Sequence, residues 1–169
     1  MLQIEYPKKG EYAQYMIPYL EMVGDADPLL ILLDTLLPFY QSIPVNKINY
    51  RYAPDKWTVA ESIGHVIDTE RIFSYRLFRL LRQDPTALAG FDQDDYIGPG
   101  DFNNRSWTDL LDEYTTVREN TLAIIHQGTA EQARFIGTAS GAPISARAMI
   151  YMICGHELHH FEILQERYL

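Results

Sequence analysis

TVAESIGHVIDTERIFSYRLFRLLRQ, residues 58–83, is the stretch that decides the fold. Thr58 followed three residues later by Glu61 is a capping-box signature, in which each side chain satisfies the other residue's free backbone N–H at a helix start. From there Val59, Ile63, Val66, Phe73, Leu77 and Leu80 recur at helical spacing. The segment reads as one amphipathic helix of ~40 Å at 1.5 Å per residue. A helix of that length must bury its stripe against several neighbours.

Working outward, three further helices follow the same logic. Asp27-Pro28 is an N-cap followed by proline at the first helical position. It predicts a first helix to about Ser42, with a wide apolar arc (Leu29, Leu32, Leu33, Leu36, Leu37, Phe39, Tyr40) that Pro38 bends or ends. Ser106 opens a third helix with the stripe Leu110, Tyr114, Val117, Thr121, Ile124, ending near Gly128. Ser145 caps a fourth that runs almost to Leu169. Residues 84–105, rich in Pro, Gly, Asn and Asp, form a long crossover between the second and third helices. GTASGAP, residues 137–143, reads as a plain inter-helix loop, and no strand run is visible. In the first 26 residues Tyr12, Tyr15, Met16 and Tyr19 suggest an amphipathic turn or two broken by Pro18. The expectation is an all-α four-helix bundle.

Composition bounds the function. The 169 residues fit one domain, 1–169, large enough to bury a core without staples. Fourteen Lys+Arg against 23 Asp+Glu give a net charge of −9, with no basic cluster, so no nucleic-acid partner is expected. The longest aliphatic run, Leu29 to Leu33, is far short of a membrane span, so none is expected. Glu5 interrupts the place where a signal-peptide core would lie. The single cysteine, Cys154, excludes an intrachain disulfide and fits a cytoplasmic location. A calcium loop read from Asp92 fails, because Asn103 stands where a bidentate Glu is required.

The chemistry concentrates on the fourth helix. Met149, Met152, Ile153, His156, His160, Ile163 and Leu164 step by three or four residues and share a face. His156 and His160 are one turn apart within this apolar stripe, close enough to converge on one ion. A third ligand must come from elsewhere. His126 lies opposite its helix's stripe and reads as exposed. His159 flanks the face and is a supporting residue or an alternative ligand, with His160 nearer the stripe's centre. His65 lies ~110° from the centre of its own stripe. It reaches the site only if that edge faces the fourth helix. His156, Glu157 and His160 also match H-E-x-x-H, the helical zinc-peptidase pattern. The match is short and no third ligand follows at the usual distance. Glu157 projects away from His156 and reads as a solvated charge. Glu70 falls inside an aliphatic stripe and demands a partner among Arg71, Arg118 and Arg147. Cys154 points away from the histidine face and is no candidate nucleophile.

KWTVAESIGHVIDTERIFSYR, then GFDQDDY, then GTASGAPISARAMIYMICGHELHHFEILQERYL resembles the DinB superfamily, over almost the whole chain from Tyr12. The resemblance implies a bundle with up-down-down-up connectivity. It implies a divalent metal, zinc or nickel, held by three histidines that match His65, His156 and His160. It also implies a homodimer, and an S-transferase that joins a low-molecular-weight thiol, such as bacillithiol or mycothiol, to a small electrophile. The competing expectations are a non-catalytic metal-binding module in stress or interaction, and an H-E-x-x-H zinc hydrolase.

Overall fold

The computed structural model describes residues 4–169. A 3-10 turn at Gln14–Met16 leads into α1 (Ile17–Val23), followed by α2 (Pro28–Leu33) and α3 (Leu37–Ser42). The long α4 (Val59–Leu81) is followed by α5 (Asp94–Gly100), α6 (Trp107–His126) and α7 (Ala130–Ala133). The hairpin β1 (Ile136–Ala139) and β2 (Ala142–Ser145) precedes α8 (Ala146–Ile163), which closes in a π-helical turn, Leu164–Tyr168.

The predicted caps are formed. Thr58 Oγ1 accepts from Glu61 N at 3.1 Å, and Glu61 Oε2 accepts from Thr58 N at 2.7 Å, which completes the capping box of α4. Asp27 caps α2, Ser106 caps α6 and Ser145 caps α8.

Cross-helix contacts set the directions. Glu70 meets Arg118 and Arg82 meets Gln127, so α4 and α6 run in parallel. His65 lies against His156, while Arg76 reaches Ser140 just ahead of α8, so α8 is antiparallel to α4. Pro28 touches Cys154, Phe39 packs on Phe161 and Lys47 bonds the Tyr168 carbonyl, so the α2–α3 segment runs parallel to α8. This is an up-down-down-up four-helix bundle, and residues 82–106 are the crossover that two parallel neighbours require.

Three expectations are corrected. The first helix is two, α2 and α3, because a helical Pro38 would clash with the carbonyl of residue 34, four back. Asp34 leaves helical geometry there (ψ 66°), and Pro38 instead sits in the first turn of α3. Pro18 likewise opens α1 rather than breaking it. GTASGAP is the turn of a hairpin. Ala139 pairs with Ala142, and both residues between them, Ser140 (φ 51°) and Gly141 (φ 76°), are left-handed, the pattern of a tight two-residue turn.

Every residue of α8 from Ala146 to Glu157 is buried, not one face alone. The segment ahead of α2 explains this, since α1 packs along α8 in addition to α4. The contact is close: a side chain on Gly155 would overlap the backbone carbonyl of Tyr19. This brings Tyr19 against the histidine face of α8.

Candidate metal centre

His65, His156 and His160 come together where α4 crosses α8. One ring nitrogen from each lies within 4.8 Å of the others. His65 Nε2 is 2.9 Å from His156 Nε2, and the ring centroids of His65 and His156 each lie within 5 Å of that of His160. His65 reaches the cluster because α4 packs on both α6 and α8, so its buried arc is wider than its aliphatic stripe. That arc takes in Ser62, His65 and Thr69, all buried. On the far side of the His65 ring, Thr69 Oγ1 lies 3.3 Å from Nδ1. An Nδ1–H donated to that hydroxyl leaves Nε2 with its lone pair aimed at the other two rings.

Burial sets the charge state. It pushes the His65 pKa down to about 4, with the nearby His159 adding to the effect. His160 is pushed down to about 3 by burial and then by His65 and His159. His156 is held well below the usual histidine value by burial, with the other three imidazoles contributing. All three are neutral at pH 7, the form that binds a metal. Two imidazole nitrogens on one tetrahedral zinc, at ~2.0–2.1 Å each, stand roughly 3.3 Å apart. The His65–His156 pair needs to part by only a few tenths of an ångström. The donor set therefore fits a divalent ion of intermediate softness.

His159 is not one of the three. Its ring packs edge-on against Tyr19, 5.4 Å between centroids. His126 is exposed at the end of α6. Cys154 faces α2, where its buried thiol donates to the Pro28 carbonyl at 3.3 Å. Glu157 is a correction, because it is buried rather than solvated. Its carboxylate accepts from Tyr114 at 2.5 Å, Tyr40 at 3.3 Å and Arg118 at 2.6 Å. Arg118 also grips Glu70 through two nitrogens at 2.8 and 2.9 Å, so of its three candidate partners Glu70 takes Arg118. Glu157 is thus committed to the bundle interior, and the H-E-x-x-H pattern here does not place a carboxylate base beside the two histidines.

A cleft of about 780 Å³ opens onto the cluster, lined by His156, His159 and His160 together with Tyr19, Phe73 and Arg76. Trp57 covers His65 from the other side, 4.8 Å between centroids. Sequence reading singled out neither Thr69 nor Arg76 as part of a site, although the signal was present. His65, Thr69, Phe73 and Arg76 are spaced by four, four and three residues along α4, one face of a helix.

A profile of the DinB superfamily matches residues 30–164. The chain belongs to the DinB superfamily. Among solved structures, YfiT from Bacillus subtilis superposes with a TM-score of 0.72 at 14% identity, covering 96% of this chain and 91% of its own. It is described as a probable metal-dependent hydrolase with an unusual four-helix bundle topology. A DinB-like protein from the same organism, YjoA, superposes with a TM-score of 0.56 at 22% identity, covering 80% and 87%. At these identities the likeness concerns the fold. No curated protein matches the chain in sequence. No helix among the described residues is long and apolar enough to cross a membrane.

Proposed function

We propose that this DinB protein is a metal-dependent enzyme in which His65, His156 and His160 hold one divalent ion, zinc or nickel, for group transfer from a small thiol to a small electrophile. The observation that carries the reading is the convergence of three neutral imidazoles, two of which, His156 and His160, line a solvent-reaching cleft. Such an ion, when bound, is a Lewis acid that lowers the pKa of a thiol or water brought to it. The chain's own residues do the rest. Thr69 orients His65 through Nδ1. Tyr19 and Phe73, whose ring centroids lie 6.0 and 5.8 Å from that of His156, keep the approach apolar. With Glu157 held by Arg118, the cluster has no adjacent carboxylate from its own motif to act as general base. Transfer from an ionised thiol makes no demand for one, which favours thiol chemistry over peptidase-type hydrolysis.

The test uses cobalt-substituted protein. Mercaptoethanol should produce a thiol-dependent absorption band in the near ultraviolet, and saturable consumption of chlorodinitrobenzene. Turnover of nitrophenyl acetate with no response to the thiol would instead favour hydrolysis, the second reading, which the description of YfiT supports. A metal-loaded protein inert to both would leave the non-catalytic module.

A reducing cytoplasm suits this reading, since the lone thiol, Cys154, is buried and free. We also propose a homodimer, formed through α2. Leu30 and Leu33 are 62% and 47% exposed there, beside a cleft that Ile31, Leu36 and Leu158 also line. Sedimentation at micromolar concentration tests it, and a monomer contradicts it.

A further inference from the structure

Three arginines are buried in the described bundle, and two of them are saturated with carboxylates. Arg118 holds Glu70 and Glu157, and Arg147 holds Glu5 and Glu11. The third, Arg76, is 6% exposed and has no carboxylate within ion-pair distance among the described residues, in a chain of net charge −9. A buried cation without a counter-ion is costly. Its placement is equally particular. The guanidinium carbon lies 5.9 Å from the centroid of Phe73 and 5.7 Å from that of Phe91, so two aromatic faces fix the plate. Nη2 alone donates to the chain, to the Ala89 carbonyl at 2.7 Å and Ser140 Oγ at 3.0 Å. Nε and Nη1 make no hydrogen bond. They are not sealed in either, because the one fully enclosed side-chain donor without a partner among the described residues is Trp107 Nε1. These two donors therefore have access to solvent beside the cleft that Arg76 lines. Phe73 connects it to the histidines, being packed on Arg76 and on His156 at once.

We infer that Arg76 is a substrate-recognition residue, and that the ligand of this cleft is a small molecule bearing an oxyanion, carboxylate or phosphate, on an apolar body. The oxyanion supplies the missing counter-charge by accepting a charge-assisted hydrogen bond from Nε–H or Nη1–H, the donors that the chain leaves free. Phe73, Phe91 and Tyr15 take the apolar body. Asp92 and Asp94 also line the cleft, but both are exposed, where water and salt screen them, while Arg76 is buried. The inference names the substrate class for the reaction proposed above and rests on the histidine cluster as the reacting centre. The recognition step itself needs no metal, which makes the two separable.

Ligand-observed NMR with phenylacetate, phenylphosphonate and the uncharged phenylacetamide tests it on the full chain, zinc-loaded and zinc-free. At least one of the two anions is expected to bind tighter than the amide by about tenfold, the scale of a charge-assisted hydrogen bond. The preference should persist without zinc, which distinguishes capture by Arg76 from coordination to the ion. The two anion arms separate carboxylate from phosphate recognition. Arg76→Gln keeps a donor for the Ala89 carbonyl but removes the charge, and should erase the preference. Arg76→Lys keeps the charge without the fork, and should retain part of it. Equal binding of anions and amide by the wild-type protein overturns the inference whatever the variants do. So does a preference that survives Arg76→Gln, or one that appears only with zinc. A zinc-free preference that depends on Arg76, in a protein that never takes up metal, upholds the anion site while the metal reading fails.

Discussion

His65 and His156, 91 residues apart in the chain, face each other Nε2 to Nε2 at 2.9 Å across the crossing of α4 and α8. Each sits on a helix whose other contacts are fixed by the bundle, so the pair is held by the fold rather than by any ion. Chelation should therefore lower the melting temperature without removing helical circular dichroism, unlike a zinc finger, which unfolds.

Thr69 lines the cleft and places its hydroxyl 3.3 Å from the Nδ1 of His65. Thr69→Val keeps the shape and removes the hydroxyl. Zinc affinity, measured against a competing chelator, is expected to fall by ~10–100-fold, the usual cost of losing such a partner. An unchanged affinity would mean that packing alone orients His65.

Acid should destabilise the metal-free protein earlier than carboxylates alone would cause. His65 has its pKa depressed from 6.5 to about 4 in the folded chain, and His160 to about 3. As pH falls below 6.5, the unfolded chain takes up protons that the folded one refuses. Stability contributed by these neutral histidines is complete above pH 6.5. It declines by up to ~1.4 kcal/mol per pH unit for each group until the folded pKa is reached. Urea unfolding between pH 7 and pH 4 in chelator should show a falling midpoint over that window. A flat midpoint down to pH 4 would contradict it.

Arg118 joins two buried carboxylates on different helices, Glu70 of α4 and Glu157 of α8. Arg118→Met strands both charges and should cost ~3–5 kcal/mol in chemical denaturation. A loss below ~1 kcal/mol, the value of an exposed pair, would mean that the carboxylates find other partners.

The three long helices, α4, α6 and α8, are legible from caps and stripes, because Thr58–Glu61, Ser106 and Ser145 act locally. The His156–His160 pair was legible for the same reason, being one turn of one helix. His65 was not settled by periodicity, since its burial depends on α4 having two neighbours, a fact of the whole bundle. Glu157 was misread for the converse reason. On α8 alone it lies off the apolar stripe, yet α3 and α6 supply Tyr40, Tyr114 and Arg118 to bury it. The hairpin is not legible in the sequence, because four-residue strands carry too little alternation to stand out beside helices.

On the proposed function, His65, His156 and His160, and no fourth histidine, hold one ion. Protein purified without a nickel column should be titrated with zinc against a competing chelator, alongside His65→Ala, His160→Ala and His159→Ala. The wild-type protein should bind about one ion per chain. Binding should be severely weakened by His65→Ala and His160→Ala, and reduced by at most ~10–100-fold by His159→Ala. No uptake above trace stoichiometry would contradict it, as would loss of the ion in His159→Ala with retention in His160→Ala.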